Sequence, residues 1–184
     1  MRKLPKIMAF YLPQYHEIPE NNQWWGEGFT EWTNTKKAEP IFKGHYQPRI
    51  PYNDYYYNLL DKKSLQWQAD LMKKYNVYGL CMYHYWFNGK KLLEKPMEIL
   101  LDNKDIDLNY CMCWANETWA RTWDGKEKDI LIKQEYGDKE DWINHLEYMM
   151  KFFNDKRYIK DNGRPVLVIY KTQLIPQINE MVKC

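Results

Sequence analysis

Residues 77–86 read VYGLCMYHYW and residues 109–114 read NYCMCW. Each run is apolar or aromatic at almost every position, with no polar residue at every second place. Strands of that kind are buried on both faces, the habit of a parallel sheet covered by helices. Two further runs share the pattern: residues 6–12, KIMAFYL, stopped by Pro13, and residues 165–170, PVLVIY. Helical spacing fills the gaps between them. Residues 62–75 carry Leu65, Trp67, Ala69, Leu71 and Met72 as a stripe, and residues 92–101 form a short helix entered through Pro96. Residues 138–153 place Trp142, Ile143, Leu146, Met149, Met150 and Phe153 on one side. Another helix is expected from Ile175, and the chain ends inside it. Residues 13–57 hold Pro, Gly and Trp without a helical period and read as one large loop.

The order is strand, loop, helix, four times over, which predicts an α/β fold. Either an open doubly wound sheet or a β/α barrel would fit. The glycines separate them. Gly26, Gly28, Gly44, Gly79, Gly89, Gly125, Gly137 and Gly163 never form G-x-G-x-x-G after a strand, and no G-x-x-x-x-G-K-[ST] occurs. Polar and aromatic residues instead gather just after the strands, where barrels keep their chemistry. A complete barrel takes about 250 residues, and this chain has 184. The expectation is therefore the N-terminal half of a (β/α)8 TIM barrel, about four β/α units, with residues 1–184 forming part of one domain. The other half would come from the same longer chain or from a second chain.

Composition narrows the ligand class. Lys plus Arg number 27 and Asp plus Glu 25, a net charge of +2. That balance argues against nucleic acid, which calls for a basic excess. Aromatic residues make up 17%, with 16 Tyr, 9 Trp and 6 Phe, yet mean hydropathy is −0.80. Rings accompanied by many polar groups suit flat, neutral, polar ligands, with sugars foremost. No stretch approaches a membrane span, and the N-terminal apolar run is shorter than a signal-peptide core, so a cytoplasmic location is expected. Cys81, Cys111, Cys113 and Cys184 make no C-x-x-C pair, and no metal-ligand set or cofactor cradle is legible. The cysteines read as buried, reduced, small apolar side chains. Asp105-Ile106-Asp107 precedes the third strand, at the bottom of the sheet, and reads as a solvated turn.

Three constellations follow strands. After the first come Tyr11, His16, Trp24, Trp25, Glu27, Glu31 and Trp32. Indole faces stack on the C–H faces of sugar rings, while carboxylates and amides take hydroxyls. The same indoles could instead close the loop as a lid core. After the second come His84, Tyr85 and Trp86. His84 stands out as a neutral imidazole able to exchange a hydrogen bond with a hydroxyl, whereas His145 reads as a surface residue of its helix. After the third come Trp114, Asn116, Glu117, Trp119 and Arg121. Trp114 and Trp119 flank Glu117, and apolar walls raise a carboxyl pKa towards a proton-donor role. The alternative is a structural Glu117–Arg121 pair.

The runs AFYLPQYHEIPENNQWWGEGFTEWTN, FKGHYQPRIP, GLCMYHYWFNGKKLLEKP, CWANETWARTWDG and RYIKDNGRPVLVIYK resemble the WbsX-type glycosyltransferase family, also described as glycoside hydrolase family 99-like. The resemblance implies a (β/α)8 barrel working on glycans in bacterial surface polysaccharide (O-antigen type, lipopolysaccharide) biosynthesis. Related family 99 enzymes are retaining endo-acting mannosidases and mannanases. They use two glutamates, with the substrate's own 2-hydroxyl as nucleophile through a 1,2-anhydro sugar. Those glutamates belong to a Trp-Asn-Glu-Trp type motif that this chain lacks. The resemblance therefore implies a sugar-binding half-site of Tyr11, His16, Trp24, Trp25, Glu31, Trp32, His84, Tyr85, Trp114, Asn116 and Trp119. Glu117 is the candidate catalytic carboxyl. Glycosyl transfer, glycan cleavage, and a non-catalytic glycan-binding role are all compatible with these residues.

Overall fold

A computed structural model describes residues 5–121 and 126–184, the side chains at 126–128 excepted. Its centre is a sheet of consecutive parallel strands: β1 (Met8–Tyr11), β2 (Gly79–Phe87), β4 (Asn109–Trp114) and β9 (Leu167–Ile169), in that order. Strand neighbours follow chain order and never reverse. A doubly wound sheet would reverse at a switch point, so the arrangement is that of successive barrel staves. The register runs Phe10 beside Cys81, Cys81 beside Cys111, and Cys113 beside Val168.

Helices cover one face. α3 (Lys62–Lys74) begins at Asp61, whose carboxylate accepts from the Lys63 N–H at 2.9 Å, a conventional N-cap. α4 (Lys95–Asp102) carries its Pro in the first turn. α5 (Lys139–Phe153) starts at Asp138, which accepts from the N–H groups of Glu140 and Asp141. Leu65, Ala69, Met97, Leu100, Met149 and Phe152 from these helices are buried in one core with Leu80, Met82, Tyr110 and Met112 of the sheet. Gly79 permits close strand packing: a Cβ there would lie 2.7 Å from the Asn109 carbonyl oxygen.

Several expectations are refined. The 13–57 segment is not helix-free, since it contains α1 (Pro19–Trp25) and α2 (Glu31–Lys37). Short helices of seven residues carry too few apolar repeats to show a period. β2 turns at Asn88-Gly89, both at positive φ, into a short antiparallel β3 (Lys90–Leu92). That Asn-Gly pair is the standard two-residue hairpin signal. β5 (Trp119–Arg121) pairs with β6 (Lys126–Ile132), and β7 (Lys160–Asp161) with β8 (Arg164–Pro165). The last helix, α6, covers only Ile178–Met181.

Cys81, Cys111 and Cys113 are free and buried, as the sequence reading has it, and Cys184 is exposed. Asp105 and Asp107 are exposed, as the reading of a solvated turn has it, and form ion pairs with Lys62 and Lys73. On the sheet face opposite the helices, Phe10 is 65% exposed and Met8 44%. Apolar strand residues open to solvent on that side mark a barrel interior that these residues do not enclose. Among the described residues, no helix is long and apolar enough to cross a membrane.

Candidate functional site

A cleft of about 860 Å³ opens at the C-terminal ends of the strands. The first crossover supplies Leu12, Gln14, Asn21, Trp24, Trp25, Phe29, Glu31, Asn34 and Lys37. β2 supplies Tyr83 and Tyr85, the segment after β4 supplies Ala115, Glu117, Thr118, Trp119, Ala120 and Arg121, and Tyr170 follows β9.

Local sequence explains how these groups are held. Thr30 caps α2: its hydroxyl accepts from the Trp32 N–H, and Thr33 returns the bond to the Thr30 N–H. This fixes Glu31 at the head of the helix. Burial raises the Glu31 pKa above its ordinary value. Beneath the cleft, Ile18, Tyr85, Phe87, Leu92, Leu93 and Ala115 form a second apolar cluster. Trp119 packs edge-on against Tyr85 (4.8 Å between centroids) and Phe87 (5.9 Å), and meets Trp24 at 5.8 Å. Arg121 donates to the Trp24 carbonyl at 2.9 Å and lies 5.3 Å from the Trp25 ring centroid. Trp24 and Trp119 therefore combine both readings of the indoles: they are lid core on one side and cleft wall on the other.

Glu117 forms an ion pair with Lys171, both side chains being partly exposed. The carboxylate raises the Lys171 pKa. Its cation comes from the segment after β9, not from a residue of its own loop. Asn116, fully buried, holds that segment in place. Its amide accepts from the Lys171 N–H at 2.9 Å and donates to the Lys171 carbonyl at 2.8 Å. Tyr136 donates to the Asn116 carbonyl at 3.0 Å. Tyr85 is held protonated, well above the phenol range, by burial first and then by Tyr83, Cys113, Glu31 and Glu117.

Of the residues marked in the sequence, Trp24, Trp25, Glu31, Tyr85, Glu117 and Trp119 meet in this cleft. Tyr11, His16, Trp32, His84, Trp114 and Asn116 are not part of its lining. Strand parity accounts for three of them. Tyr83 and Tyr85 face the cleft, so His84 between them faces α5. There its Nε2 lies 2.9 Å from His145 Nε2, and Tyr148 stacks on it at 5.5 Å. His145 is buried, which corrects its reading as a surface residue: the Trp86 ring stacks on it at 4.5 Å. Burial lowers the His84 pKa to about 3 and that of His145 to about 2. Trp114 likewise turns to the helix side, donating to the Trp86 carbonyl at 3.4 Å and meeting His145 edge-on at 4.9 Å. Tyr11 donates to Gln68 of α3 at 3.0 Å.

Trp32 donates to the Tyr57 carbonyl at 2.8 Å and packs among Tyr15, Tyr56 and Tyr57. His16 is buried, and burial lowers its pKa to about 4. Tyr83, Tyr170, Lys171 and Asn21 escaped the sequence reading. The two tyrosines carried a signal, an aromatic at matching strand-end positions. Lys171 carried none. Asn21 is buried in the cleft wall with neither amide atom partnered among the described residues. Asp124, a further carboxyl of the loop after β4, lies outside the described residues, and among the described residues no cluster suited to a metal ion is found.

Comparison with known proteins follows the same direction. The chain is 42% identical over 171 residues to the uncharacterised protein WxcX of Xanthomonas campestris pv. campestris strain B100. The match to WxcX of strain ATCC 33913 is equal. It covers 93% of this chain and 24% of either relative, so the chain spans about a quarter of their length. Among solved structures, the GH99 endo-alpha-mannosidase of Bacteroides thetaiotaomicron superposes with a TM-score of 0.50 at 15% identity, over 91% of this chain and 45% of that one. The same enzyme with bis-tris propane gives 0.49 at 14% identity, over 92% and 42%. At 15% identity the first of these likenesses speaks for the fold alone, a partial (β/α)8 barrel. Residues 7–184 match the family described as glycosyltransferase WbsX, and the chain belongs to that family.

Proposed function

We propose that this chain forms the sugar-binding half of the cleft in a protein that transfers or cleaves glycosyl groups during assembly of bacterial surface polysaccharide of the O-antigen type. The observation that carries the reading is one cleft, at the C-terminal strand ends, where indole and phenol rings meet two carboxyls in different environments. Trp25, Tyr83 and Tyr170 offer faces for the C–H side of a pyranose. Glu117 and Asn34 offer polar groups for hydroxyls.

The two carboxyls divide the work. Glu117, held beside Lys171, accepts from sugar hydroxyls. Glu31, its pKa raised by burial, is the better placed of the two to donate a hydrogen bond or proton. The ion pair thus favours a hydroxyl-binding role for Glu117 over the proton-donor role first assigned to it. Buried free thiols at Cys81, Cys111 and Cys113 support a reducing compartment such as the cytoplasm.

The test is titration of the complete protein against a panel of bacterial surface oligosaccharides, with the Trp25→Ala variant alongside. A ligand that binds and is weakened about tenfold or more by Trp25→Ala agrees with the stacking role. Binding unaffected by Trp25→Ala and by Glu117→Gln together would place the glycan elsewhere.

A further inference from the structure

We propose that the loop between α2 and α3, residues 39–54, docks the protein on an anionic lipid surface. This loop holds Ile41, Phe42, Tyr46, Ile50 and Tyr52, and every one is exposed, Ile41 at 82% and Tyr52 at 80%. Such a concentration in one short segment is unlike the scattered apolar exposure of an ordinary surface. It also differs from the exposure of Met8 and Phe10. Those are strand residues facing an unfilled barrel interior, which further barrel units would cover. The loop belongs to no strand.

Charge identifies the occupant. Between residues 36 and 54 the cations are Lys36, Lys37, Lys43 and Arg49, against the anions Glu39 and Asp54. Neither Lys43 nor Arg49 enters an ion pair among the described residues. Apolar side chains interleaved with unpaired cations suit the boundary between acyl chains and acidic headgroups. A buried protein interface would have to desolvate those cations.

The loop is also built to present its tip. His45 donates its backbone N–H to the Phe42 carbonyl at 3.0 Å, its Nδ1 accepts from the Ile41 N–H at 3.3 Å, and its ring stacks on Phe42 at 4.6 Å and 6°. Gly44, at φ 88, closes the turn. Ile41, Phe42 and Lys43 are thereby displayed without the ordering cost of a floppy segment. The loop leaves directly from Lys37, a cleft residue, and returns to Tyr57, which packs on Trp32. Docking would bring the cleft to the lipid surface. That consequence rests on the glycan reading above, whereas the docking itself does not.

The experiment is sedimentation of the complete protein with vesicles of pure phosphatidylcholine, and with vesicles containing about one-third phosphatidylglycerol. Expected is at least about tenfold stronger partitioning onto the acidic vesicles, weakened by salt. Ile41→Ser with Phe42→Ser, and separately Lys43→Gln with Arg49→Gln, should each lower it about tenfold. These side chains are exposed, so circular dichroism should be unchanged. Absence of partitioning, equal partitioning onto both vesicles, or partitioning insensitive to either double variant overturns the proposal. Because no glycan is present, failure here leaves the cleft titration independent.

Discussion

The Asn116 amide grips the backbone of Lys171 at two points, accepting from its N–H and donating to its carbonyl. One buried side chain at the end of β4 thereby fixes the chain leaving β9, fifty-five residues on. The adjoining residues, Glu117 and Lys171, meet as an ion pair as a direct result. The clasp links strand order to cleft chemistry.

Removing the clasp should cost stability. Asn116→Ala leaves a backbone N–H and a carbonyl of Lys171 without their partner. Each such loss is worth about 1–3 kcal/mol when buried. Denaturant unfolding should report destabilisation of about 2–4 kcal/mol. A loss below about 0.5 kcal/mol would mean water replaces the amide without penalty.

The ion pair itself should matter for ligand and little for folding. Both partners are more than a third exposed, so solvent screens them and Glu117→Gln should change stability by less than about 1 kcal/mol. Glycan affinity of the complete protein should fall about tenfold, in line with loss of a charge-assisted hydrogen bond. Unchanged affinity in calorimetry, joined to a lowered melting temperature, would make the pair structural.

Glu31 gives a pH-dependent signature. Its folded pKa is raised by burial, so the native state holds this proton more firmly than the unfolded chain. The resulting contribution is present below the ordinary carboxylate pKa and disappears as pH rises through the folded value. Glu31→Gln should therefore raise the melting temperature at pH 7, and the gain should shrink as the pH falls towards about 4. A gain that is constant with pH would remove burial of the charge as its cause.

The His84–His145 contact predicts the opposite sense. Burial lowers both pKa values, with Lys91 adding to the shift at His84. Their contribution is complete above about pH 6.5 and is lost as the pH falls, because the unfolded chain takes up protons first. Unfolding midpoints should decline between about pH 6.5 and 4, and His145→Phe should flatten that decline. An identical slope in both proteins would refute the assignment.

Much of the fold was legible from residues alone. Parallel strands at 77–86 and 109–114 were readable because continuous apolar runs must be buried on both faces. The helices at 62–75 and 138–153 were readable because their apolar stripes span three turns or more. Short elements left no such period, so α1, α2 and the β5–β6 hairpin stayed hidden. Glu31, Trp24, Trp25, Tyr85 and Trp119 could be placed at the cleft from composition and position after strands. His84, Trp114 and Asn116 could not be excluded from it without knowing the register.

The sequence by itself determined the class of structure and the stock of groups at the strand ends: rings, amides and carboxyls, with family membership written in long motifs. Tertiary structure decided which of them share a cleft. A side chain's face in a strand depends on a parity that composition does not carry, and one step exchanges Tyr85 for His84. The cation beside Glu117 likewise depends on two strands lying side by side in the sheet. Local spacing pointed to Arg121, four residues away, while β4 pairing with β9 brought Lys171.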